Sequence, residues 1–556
     1  MNLNTRITGP AWAWINSTVD IIAELFAELW YDLITDIEYE SRIKWWVNFF
    51  DVNICDNTSM FLTKKVDIIL AFNSESLERQ IPKLNSQTTL IINKKWLDKL
   101  AIDHPELNSG SFNVLSIEIN DKYDNTYLLW IYALYLNLDI DIILEKIWNV
   151  FAKKWEEVVE NNKNIVRNIF NTYKINKVSE IKISRIGKAR ELIYWNKSLT
   201  YWAIEWWLEF YSAYPMTPAS TILTEIINSK KVKYIQNEDE VAVANSALWA
   251  SFTWARVMCW TSGWGFALMS EALSFAVQAE FPITVVLAQR AWPSTWTPTY
   301  HEAWDINYAL NPTFGDFNHV VMYPSSLEEA YYFWWLALNI ADKYQTQVIL
   351  LMDKQSSELI GTVSKLKTII VDRWIILENP PIDYKRYELS ESWISPRVKV
   401  GTKNWDFIAT SYEHDEYWAT SENSENKKSM TEKRFKKLND FFKKEWYNWY
   451  EVINSDAKKM IITTSFTRYT AEYFIRNNPE FGLIIVKFLK PLDEKLLEEI
   501  KWKEEIIFVE NNYSWQIENY ISKEFGLKYI PWLKISNMRK YDLYPFYIED
   551  FEELKK

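Results

Sequence analysis

The sequence predicts an α/β protein with three α/β domains, of which the central one is a doubly wound parallel sheet. The length of 556 residues allows about three domains of ordinary size. Short apolar runs of about five residues alternate with helical stretches along most of the chain, which is the pattern of sheets built from strand–helix–strand units. An apolar fraction of 48% is large enough for each domain to bury a core of its own.

The first predicted domain covers residues 1–180. It begins with a strand that runs into a turn at Gly9, after which strands and helices alternate. A charged stretch at 174–194 is expected to link this domain to the next one. The strands are predicted at 4–10, 66–72, 88–92 and 112–119, and the helices at 16–29, 126–150 and 155–172.

The central domain, predicted over residues 190–370, has four strands that each run into a polar loop or a helix start. The first strand leads into Tyr-Pro-Met-Thr-Pro-Ala-Ser at 214–220, and the second leads to Glu238. The third runs into Thr-Ser-Gly-Trp-Gly at 261–265, and the fourth into the loop 289–299. Because the carboxyl ends of parallel strands meet at one edge of a sheet, these loops predict a single site at that edge.

The regular alternation stops after the central domain and then returns. Residues 371–455 are polar and irregular, and we interpret them as an interdomain segment. Residues 456–556 resume the α/β pattern and form the last predicted domain. Its strands are expected at 460–465, 483–488 and 506–510.

The composition excludes several classes of partner. A net charge of −12 disfavours nucleic acid and anionic membranes. No apolar run of about 18 residues and no signal-peptide pattern occurs, so the protein is expected in the cytoplasm and off the membrane. Cys55 and Cys259 are too few for an iron–sulfur cluster, which takes about four thiolates, and are expected in cores. The four histidines have no metal-ligand spacing, so no metal site is predicted.

Four motifs of the central domain resemble one known family in both order and spacing. Together they resemble the α subunit of 2-oxoacid:ferredoxin oxidoreductases. Residues 39–54 are similar to the γ domain of that family, so the resemblance covers nearly the whole chain. It implies an α subunit of the 2-oxoglutarate synthase type with an N-terminally fused γ domain and a transketolase-like C-terminal domain. The four motifs are YPMTPAS at 214–220, NEDEVAVANSALWAS at 237–251, TSGWGFALMSEAL at 261–273 and QRAWPSTWTPT at 289–299.

The resemblance implies oxidative decarboxylation of a 2-oxoacid with coenzyme A to an acyl-CoA, CO₂ and reduced ferredoxin, or the reverse reaction. The central domain would be the pyrimidine-binding domain of a thiamine diphosphate enzyme. The sequence has no Gly-Asp-Gly motif with a downstream Asn, and it lacks the cysteines of a cluster. We therefore expect a β subunit to supply diphosphate binding, Mg²⁺ and a [4Fe-4S] cluster, with ferredoxin as acceptor and an (αγ-β)₂ assembly.

The substrate and the reaction class stay open at this point. The loop 290–299 resembles 2-oxoglutarate or broad-range members more than pyruvate enzymes, so 2-oxoglutarate is the expected substrate, with pyruvate or several 2-oxoacids as alternatives. A non-oxidative thiamine enzyme would need no cluster-bearing partner. A non-catalytic interaction scaffold would keep the fold and lose the acid–base residues, and the presence of Glu240, Thr217 and Arg290 argues against it.

Glu240 is the expected catalytic residue and a contact of the cofactor. A carboxyl group that is hydrogen-bonded to the pyrimidine ring of thiamine diphosphate favours the imino tautomer, and the resemblance gives this role to Glu240. Glu238 is the second choice, and in a third interpretation the acids at 238–240 only favour the positive end of the helix dipole. Ser262 and Gly263 are also expected to contact the cofactor.

Two further pairs of residues are expected to bind anionic groups. Thr217 and Arg290 would hold the 2-oxo-carboxylate, because a guanidinium matches a carboxylate in shape and charge. A plain helix cap for Thr217 and a structural ion pair for Arg290 are the alternatives. Arg42 and Lys44 lie where the resemblance implies coenzyme A phosphates, with a solvated charged turn as the equal alternative.

Tryptophan and glycine occur in abnormal numbers. The chain has 31 Trp and 10 Gly, whereas a usual Gly content of about 7% would give about 39. Trp264 stands between two glycines and Trp292 stands before a proline, in places that suit glycine. Most such positions are glycine in the family that the chain resembles. We hypothesise that many of the tryptophans are glycines encoded by a reassigned UGA codon, with a genuinely Trp-rich protein as the alternative.

Overall fold

The computed structural model describes most of the chain, which divides into two compact units. Unit 1 consists of Met1–Tyr194, Leu359–Leu366 and Phe546–Lys556, and unit 2 consists of Trp195–Glu358 and Lys367–Pro545. The described residues are 2–10, 15–39, 47–56, 60–108, 110–119, 124–151, 156–173, 190–205, 207–216, 220–292, 297, 299–364, 366, 370–438 and 449–556.

The strands of the described residues are numbered here in chain order. They are β1 (Asn2–Pro10), β2 (Asp32–Tyr39), β3 (Val47–Cys55), β4 (Ile68–Ala71), β5 (Thr89–Asn93), β6 (Asn113–Ile117), β7 (Glu191–Tyr194), β8 (Phe210–Ala213), β9 (Lys233–Gln236), β10 (Val257–Thr261), β11 (Ile283–Gln289), β12 (Val320–Met322), β13 (Gln347–Asp353), β14 (Ile360–Val363), β15 (Ile376–Leu377), β16 (Arg397–Val398), β17 (Tyr450–Ile453), β18 (Lys459–Thr463), β19 (Phe481–Val486), β20 (Phe488–Lys490), β21 (Glu505–Glu510) and β22 (Lys534–Arg539).

The α-helices of the described residues are numbered in the same way. They are α1 (Ile15–Glu28), α2 (Ser74–Glu78), α3 (Lys94–Leu100), α4 (Asp124–Tyr135), α5 (Ile140–Phe151), α6 (Glu156–Thr172), α7 (Trp195–Glu205), α8 (Ser220–Ser229), α9 (Glu240–Phe252), α10 (Gly263–Leu268), α11 (Ser270–Gln278), α12 (Ile306–Leu310), α13 (Leu327–Tyr344), α14 (Lys354–Glu358), α15 (Ser424–Lys436), α16 (Thr467–Asn477), α17 (Lys495–Ile500), α18 (Gln516–Phe525) and α19 (Ile548–Phe551). None of these helices is both long and apolar enough to cross a membrane.

An eight-stranded mixed sheet organises unit 1. Its strand order is β6-β5-β4-β1-β3-β2-β14-β7. The strands from β6 to β1 run parallel, and the other neighbours run antiparallel. Strands β1, β4, β5 and β6 correspond to the four that the sequence predicts in this region. Apolar residues of α1 and α4 pack with those of the sheet in one core.

The single helix predicted at 126–150 is wrong, because the structure has two helices there. Helix α4 ends at Tyr135 and α5 begins at Ile140. Asn137 between them has a φ of 55°, in the left-handed region that interrupts a right-handed helix and that asparagine tolerates. The backbone N–H of Leu138 donates to the Ala133 carbonyl oxygen at 3.0 Å and closes the helix end. Apolar periodicity continues through this turn, so the pattern alone did not show it.

A seven-stranded sheet of order β20-β12-β13-β11-β10-β8-β9 forms the main sheet of unit 2. All neighbours from β12 to β9 run parallel, and only β20 at the edge is antiparallel. Strands β10, β11 and β13 are buried along their whole length, as expected for a parallel sheet covered on both faces. The doubly wound parallel sheet predicted for the central domain is therefore confirmed.

The direction of the chain crossings reverses beside β8. From β8 the chain passes to β9 on one side, and it then returns across β8 to β10 and continues outward to β11. Connections that leave β8 and β10 thus diverge, and a crevice opens between the carboxyl ends of these two strands. In open α/β sheets such a switch point is where ligands bind.

A second sheet in unit 2 completes the α/β fold class predicted for the chain. It has the order β17-β19-β18-β21-β22, and it is parallel except at β17. Its buried residues and those of the seven-stranded sheet belong to one core, and β20 of the predicted last domain joins the seven-stranded sheet. The domain limits at 180, 190, 370, 371, 455 and 456 remain predictions.

Candidate active site

The candidate site lies at the switch point, where α9 begins beside the end of β10. Asp239 is the N-cap of α9, and its side chain accepts a hydrogen bond from the Ala242 backbone N–H at 2.8 Å. Glu240 is the first residue of the helix and has 4% of its surface exposed, whereas Glu238 is exposed. The three neighbouring acids therefore differ: one caps the helix, one faces solvent, and Glu240 points inward.

The Glu240 carboxylate lies against the start of α10. Thr261, the last residue of β10, donates its hydroxyl to Glu240 Oε1 at 3.4 Å. A Cβ atom on Gly265 would collide with the carboxylate of Glu240 and with the Thr261 hydroxyl. Glycine at 265 is thus required for the carboxylate to lie where it does, since any larger residue would displace it.

The charge state of Glu240 is set by opposing effects. Burial raises the pKa of its carboxyl above the ordinary value, and the Thr261 hydrogen bond and the positive charge of Arg290 reduce that rise without cancelling it. A carboxyl with a raised pKa in a crevice is a common feature of functional sites. Glu240 can therefore hold a proton at a pH where exposed glutamates have lost theirs.

Arg290 stands at the same edge of the sheet. It follows directly after β11 and is half-buried. Burial lowers the pKa of Arg290, and the negative charges of Asp305 and Glu240 work in the opposite direction. The guanidinium therefore lies within the electrostatic reach of both carboxylates.

Ser262 and Gly263 form the start of α10. Ser262 is buried, its hydroxyl contacts Met216 Sδ at 2.6 Å, and its carbonyl oxygen accepts from the Phe266 N–H at 2.8 Å. The contact with Met216 brings the loop after β8 to the end of β10. A Cβ atom on Gly263 would lie 2.7 Å from Asp305 Oδ2. The cofactor roles of Ser262 and Gly263 stay predictions.

Three residues named from the sequence lie outside the described part of the chain. Thr217 follows Met216 directly, and Arg42 and Lys44 lie between β2 and β3. Their expected contacts, with the 2-oxo-carboxylate and with coenzyme A, remain predictions.

Two family models match the chain. Residues 5–172 match the family described as "Pyruvate ferredoxin/flavodoxin oxidoreductase". Residues 202–434 match "Pyruvate flavodoxin/ferredoxin oxidoreductase, thiamine diP-bdg", and this range includes the switch point, Glu240 and Arg290.

Relatives and a solved structure extend the likeness to the full length. The 2-oxoacid:ferredoxin oxidoreductase subunit alpha of Sulfolobus sp is 26% identical, over 96% of this chain and 94% of its own. The 2-oxoglutarate synthase subunit KorA of Methanocaldococcus jannaschii is 28% identical, over 57% of this chain and 87% of its own. The 2-oxoglutarate:ferredoxin oxidoreductase from Magnetococcus marinus, solved with 2-oxoglutarate, coenzyme A and succinyl-CoA bound, has a TM-score of 0.87 at 25% identity and matches 100% of this chain and 99% of that one. The chain belongs to the 2-oxoacid:ferredoxin oxidoreductase family.

Within this family fold, two residues of the site were not found from the sequence. Gly265 is the glycine that faces Glu240, whereas the glycine expected from the sequence to contact the cofactor is Gly263, two residues earlier. Asp305 lies against Gly263, and burial raises the pKa of its carboxyl to about 6 despite the opposing charge of Arg290. The sequence feature that could have revealed Asp305 is its position at the end of His-Glu-Ala-Trp-Asp at 301–305, which follows the loop that begins with Arg290.

Both cysteines lie in cores, as predicted. Cys55 is in β3 of unit 1 and Cys259 is in β10 of unit 2, and both are buried free thiols. Burial raises the pKa of each thiol to about 12. Neither is therefore available as a thiolate near neutral pH.

Proposed function

We propose that the chain is the αγ subunit of a thiamine diphosphate-dependent 2-oxoacid:ferredoxin oxidoreductase. The reaction is the oxidative decarboxylation of 2-oxoglutarate with coenzyme A to succinyl-CoA and CO₂, with ferredoxin as electron acceptor. One observation carries the proposal: a buried carboxyl with a raised pKa, Glu240, lies at the switch point against a glycine, inside the thiamine diphosphate-binding family match. The names of the Methanocaldococcus jannaschii relative and of the Magnetococcus marinus structure support 2-oxoglutarate as the substrate.

The residues at the switch point fit a pyrimidine ring. Glu240 offers a carboxyl that can donate or accept a hydrogen bond, and the bare backbone at Gly265 leaves room for that carboxyl at the edge of the sheet. When bound, thiamine diphosphate supplies a nucleophilic carbon and an electron sink for decarboxylation. Glu240 would hold the proton that favours the reactive tautomer of the ring. Arg290 would hold the carboxylate of the 2-oxoacid, with Thr217 as a second donor.

We assign the remaining parts of the enzyme to a separate β subunit. A [4Fe-4S] cluster takes about four thiolates, whereas this sequence has two cysteines, both in cores. The β subunit would supply the cluster, Mg²⁺ and the diphosphate site, in an (αγ-β)₂ complex in the cytoplasm. Coenzyme A would contact Arg42 and Lys44 of the γ region.

The test is reconstitution of the complex and a comparison with the isolated chain. Co-purified with a β subunit that carries cysteine and thiamine diphosphate motifs, the chain should reduce ferredoxin with 2-oxoglutarate and coenzyme A, and more slowly with pyruvate. In calorimetry, the isolated chain should not bind thiamine diphosphate tightly. Micromolar, Mg²⁺-dependent binding by the isolated chain would contradict the division between subunits, and a complex inactive on every 2-oxoacid would contradict the function.

We further propose that many of the tryptophans are glycines in the native protein. Fifteen non-glycine residues of the described chain have a positive φ, and seven of them are Trp. Left-handed backbone is rare for a bulky residue and ordinary for glycine. The most extreme is Trp418, with a φ of 115°. The seven are Trp30, Trp207, Trp254, Trp374, Trp393, Trp418 and Trp515.

Peptide mass spectrometry of protein from its native cells tests whether these positions carry glycine or tryptophan. Peptides that contain positions 264, 292 and 418 should have the mass of glycine there, and the corresponding codons should be UGA. Tryptophan masses at these positions would contradict the proposal and leave the enzymatic function untouched.

A further inference from the structure

A buried serine of β8 is bonded to the chain on both sides of Glu240. Ser212 is fully buried in the strand, where a hydroxyl must find its hydrogen-bond partners inside the protein. Its Oγ accepts from the side-chain amide of Asn237 at 2.8 Å and donates to the Val243 carbonyl oxygen at 2.9 Å. Asn237 lies before Glu240 in the chain and Val243 lies after it in the first turn of α9, so one hydroxyl holds both ends of the turn that carries the carboxylate.

Asn237 attaches the start of this turn to two further elements. Its backbone N–H donates to the Ala213 carbonyl oxygen at the end of β8 at 3.0 Å. Its side-chain oxygen accepts from the hydroxyl of Ser246, in the body of α9, at 3.4 Å. The residue is itself buried. The segment between β9 and α9 therefore cannot move along β8 without breaking hydrogen bonds in a buried region, which is costly.

The serine and the helix cap do different things for this turn. Asp239 accepts from the Ala242 N–H through its side chain and from the Val243 N–H at 3.0 Å through its backbone, so the cap closes the turn on itself. It makes no bond in this set to the sheet. Ser212 is the group that joins the turn to β8, and it thereby fixes where the first residue of α9 lies relative to the sheet.

The surroundings of Glu240 tolerate little movement of that turn. On one side the carboxylate lies against Gly265, with no room for even a Cβ atom between them. On the other it accepts from the Thr261 hydroxyl at 3.4 Å, a distance at which a hydrogen bond is already weak. A small displacement of the start of α9 would therefore break this bond or press the carboxylate on the glycine.

We propose that Ser212 is a positioning residue for Glu240, which holds the first turn of α9 on β8 so that the carboxylate meets the pyrimidine ring of the cofactor. This rests on the function proposed above, in which Glu240 acts on that ring. The Ser212 hydroxyl has its donor and its acceptor partner inside the protein and acts only through Glu240. A hydrogen bond with a purely structural role would affect stability and leave turnover unchanged.

The experiment is a double-mutant cycle in the reconstituted complex. Ser212→Ala should lower kcat by about tenfold to 100-fold, because misplacing a catalytic group by about 1 Å can cost that much. In a Glu240→Gln background the same substitution should change kcat by less than about twofold, since the group that it positions is already lost. The KM for 2-oxoglutarate should change little in either background, because Arg290 would hold that substrate.

Ser251→Ala is the matched control. Ser251 is a buried serine near the other end of α9, and its hydroxyl donates to the Pro282 carbonyl oxygen at 2.6 Å. Its loss removes a bond of the same kind from the same helix. Both alanine variants should lower the midpoint of thermal unfolding, whereas only Ser212→Ala should lower kcat.

Hydrogen exchange of the isolated full-length chain measures the position of the turn without turnover. The amides of Ala242 and Val243 should exchange faster in Ser212→Ala than in wild type, because the turn opens more easily once it is released from β8. They should keep the wild-type rate in Ser251→Ala. Asn237→Ala removes the same link from its other end, so it should repeat both effects and guards against a folding defect particular to Ser212→Ala.

Three results would overturn the role of Ser212 and leave the function standing. They are a wild-type kcat in Ser212→Ala, an equal loss of kcat with and without the Glu240 carboxylate, and a loss of the same size in Ser251→Ala. A wild-type complex that is inactive on every 2-oxoacid would instead remove the function on which the role rests.

Discussion

The α-carbon of Gly265 lies so close to the carboxylate of Glu240 that no side chain fits between them. The two residues are 25 positions apart and meet because α9 and α10 both begin at the edge of the sheet where β8 and β10 end. Burial against this bare backbone is also what raises the pKa of Glu240. The same contact therefore fixes where the Glu240 carboxylate lies and contributes to its burial.

Glu240→Gln should lower kcat of the reconstituted complex by about 100-fold or more, because acid–base roles contribute about 10²–10⁴ in rate. Assembly with the β subunit should be unchanged, since the amide keeps the shape of the side chain. The measurement is steady-state ferredoxin reduction. Glu238→Gln provides the comparison, because Glu238 is exposed. A large loss of kcat in Glu238→Gln, or a near wild-type rate for Glu240→Gln, would contradict the catalytic role of Glu240.

Gly265→Ala should lower kcat in the same way while every charged group is kept, because the added methyl group displaces the Glu240 carboxylate. Leu268→Ala, on the exposed side of α10, is the matched control and should keep full activity. An active Gly265→Ala enzyme would mean that the position of the carboxylate is not critical.

Arg290→Lys should raise the KM for 2-oxoglutarate and leave the KM for coenzyme A unchanged. A lysine keeps the charge but cannot make the paired hydrogen bonds of a guanidinium with a carboxylate. Loss of one such bond, worth about 1.5 kcal/mol, corresponds to about tenfold in affinity. Equal changes in both constants would indicate a structural ion pair instead.

Glu280→Gln should destabilise unit 2 by about 3–5 kcal/mol, because it leaves two buried ammonium groups without their anion. Lys433 and Lys437 both bind the Glu280 carboxylate, Lys437 at 3.2 Å, and both are almost fully buried. They attach the end of α15 to the turn before β11. Chemical denaturation measures the change, and Lys436→Gln, which removes a half-exposed lysine of the same helix, should cost less than 1 kcal/mol.

Stability should fall in acid as Glu413 gains a proton. Burial alone would raise its pKa, but Arg434 at 2.6 Å and Lys427 at 2.8 Å hold the pKa of the Glu413 carboxyl at about 2. Its folded pKa lies below the unfolded one, so its contribution is complete above about pH 4.5 and is lost as the pH falls toward 2. In Glu413→Gln, the midpoint of urea unfolding should change less with pH in that window than it does in wild type. If the urea midpoint of Glu413→Gln changes with pH as much as that of wild type, Glu413 does not cause the loss of stability in acid.

Trp207→Gly and Trp418→Gly should each stabilise recombinant protein made with the standard code, by about 1–2 kcal/mol, because both positions have a positive φ. Trp249→Gly is the matched control. Trp249 is exposed in the middle of α9, so glycine there should cost about 1 kcal/mol. The measurement is the midpoint of thermal unfolding of each variant. Destabilisation by all three variants would count against glycine as the native residue at positions 207 and 418.

Local periodicity was enough to predict most strands and helices. Strands β18, β19 and β21 lie within two residues of the limits predicted at 460–465, 483–488 and 506–510, since runs of apolar residues need no tertiary information to be recognised. The prediction of a single helix at 126–150 was wrong because the local pattern there does not reveal the turn. Asn137 turns the chain through one left-handed residue, and the apolar pattern on both sides is compatible with an unbroken helix.

The sequence by itself determined the family, the parallel central sheet and the loops that gather at its edge, because motif order and strand-to-loop transitions are local properties. Which acid points inward depended on the start of α9, where Asp239 takes the cap and turns Glu240 toward the sheet. The contacts of Gly265 with Glu240 and of Gly263 with Asp305 depended on strand order, which joins segments far apart in the chain. Such contacts leave no local pattern, so only the tertiary structure decided them.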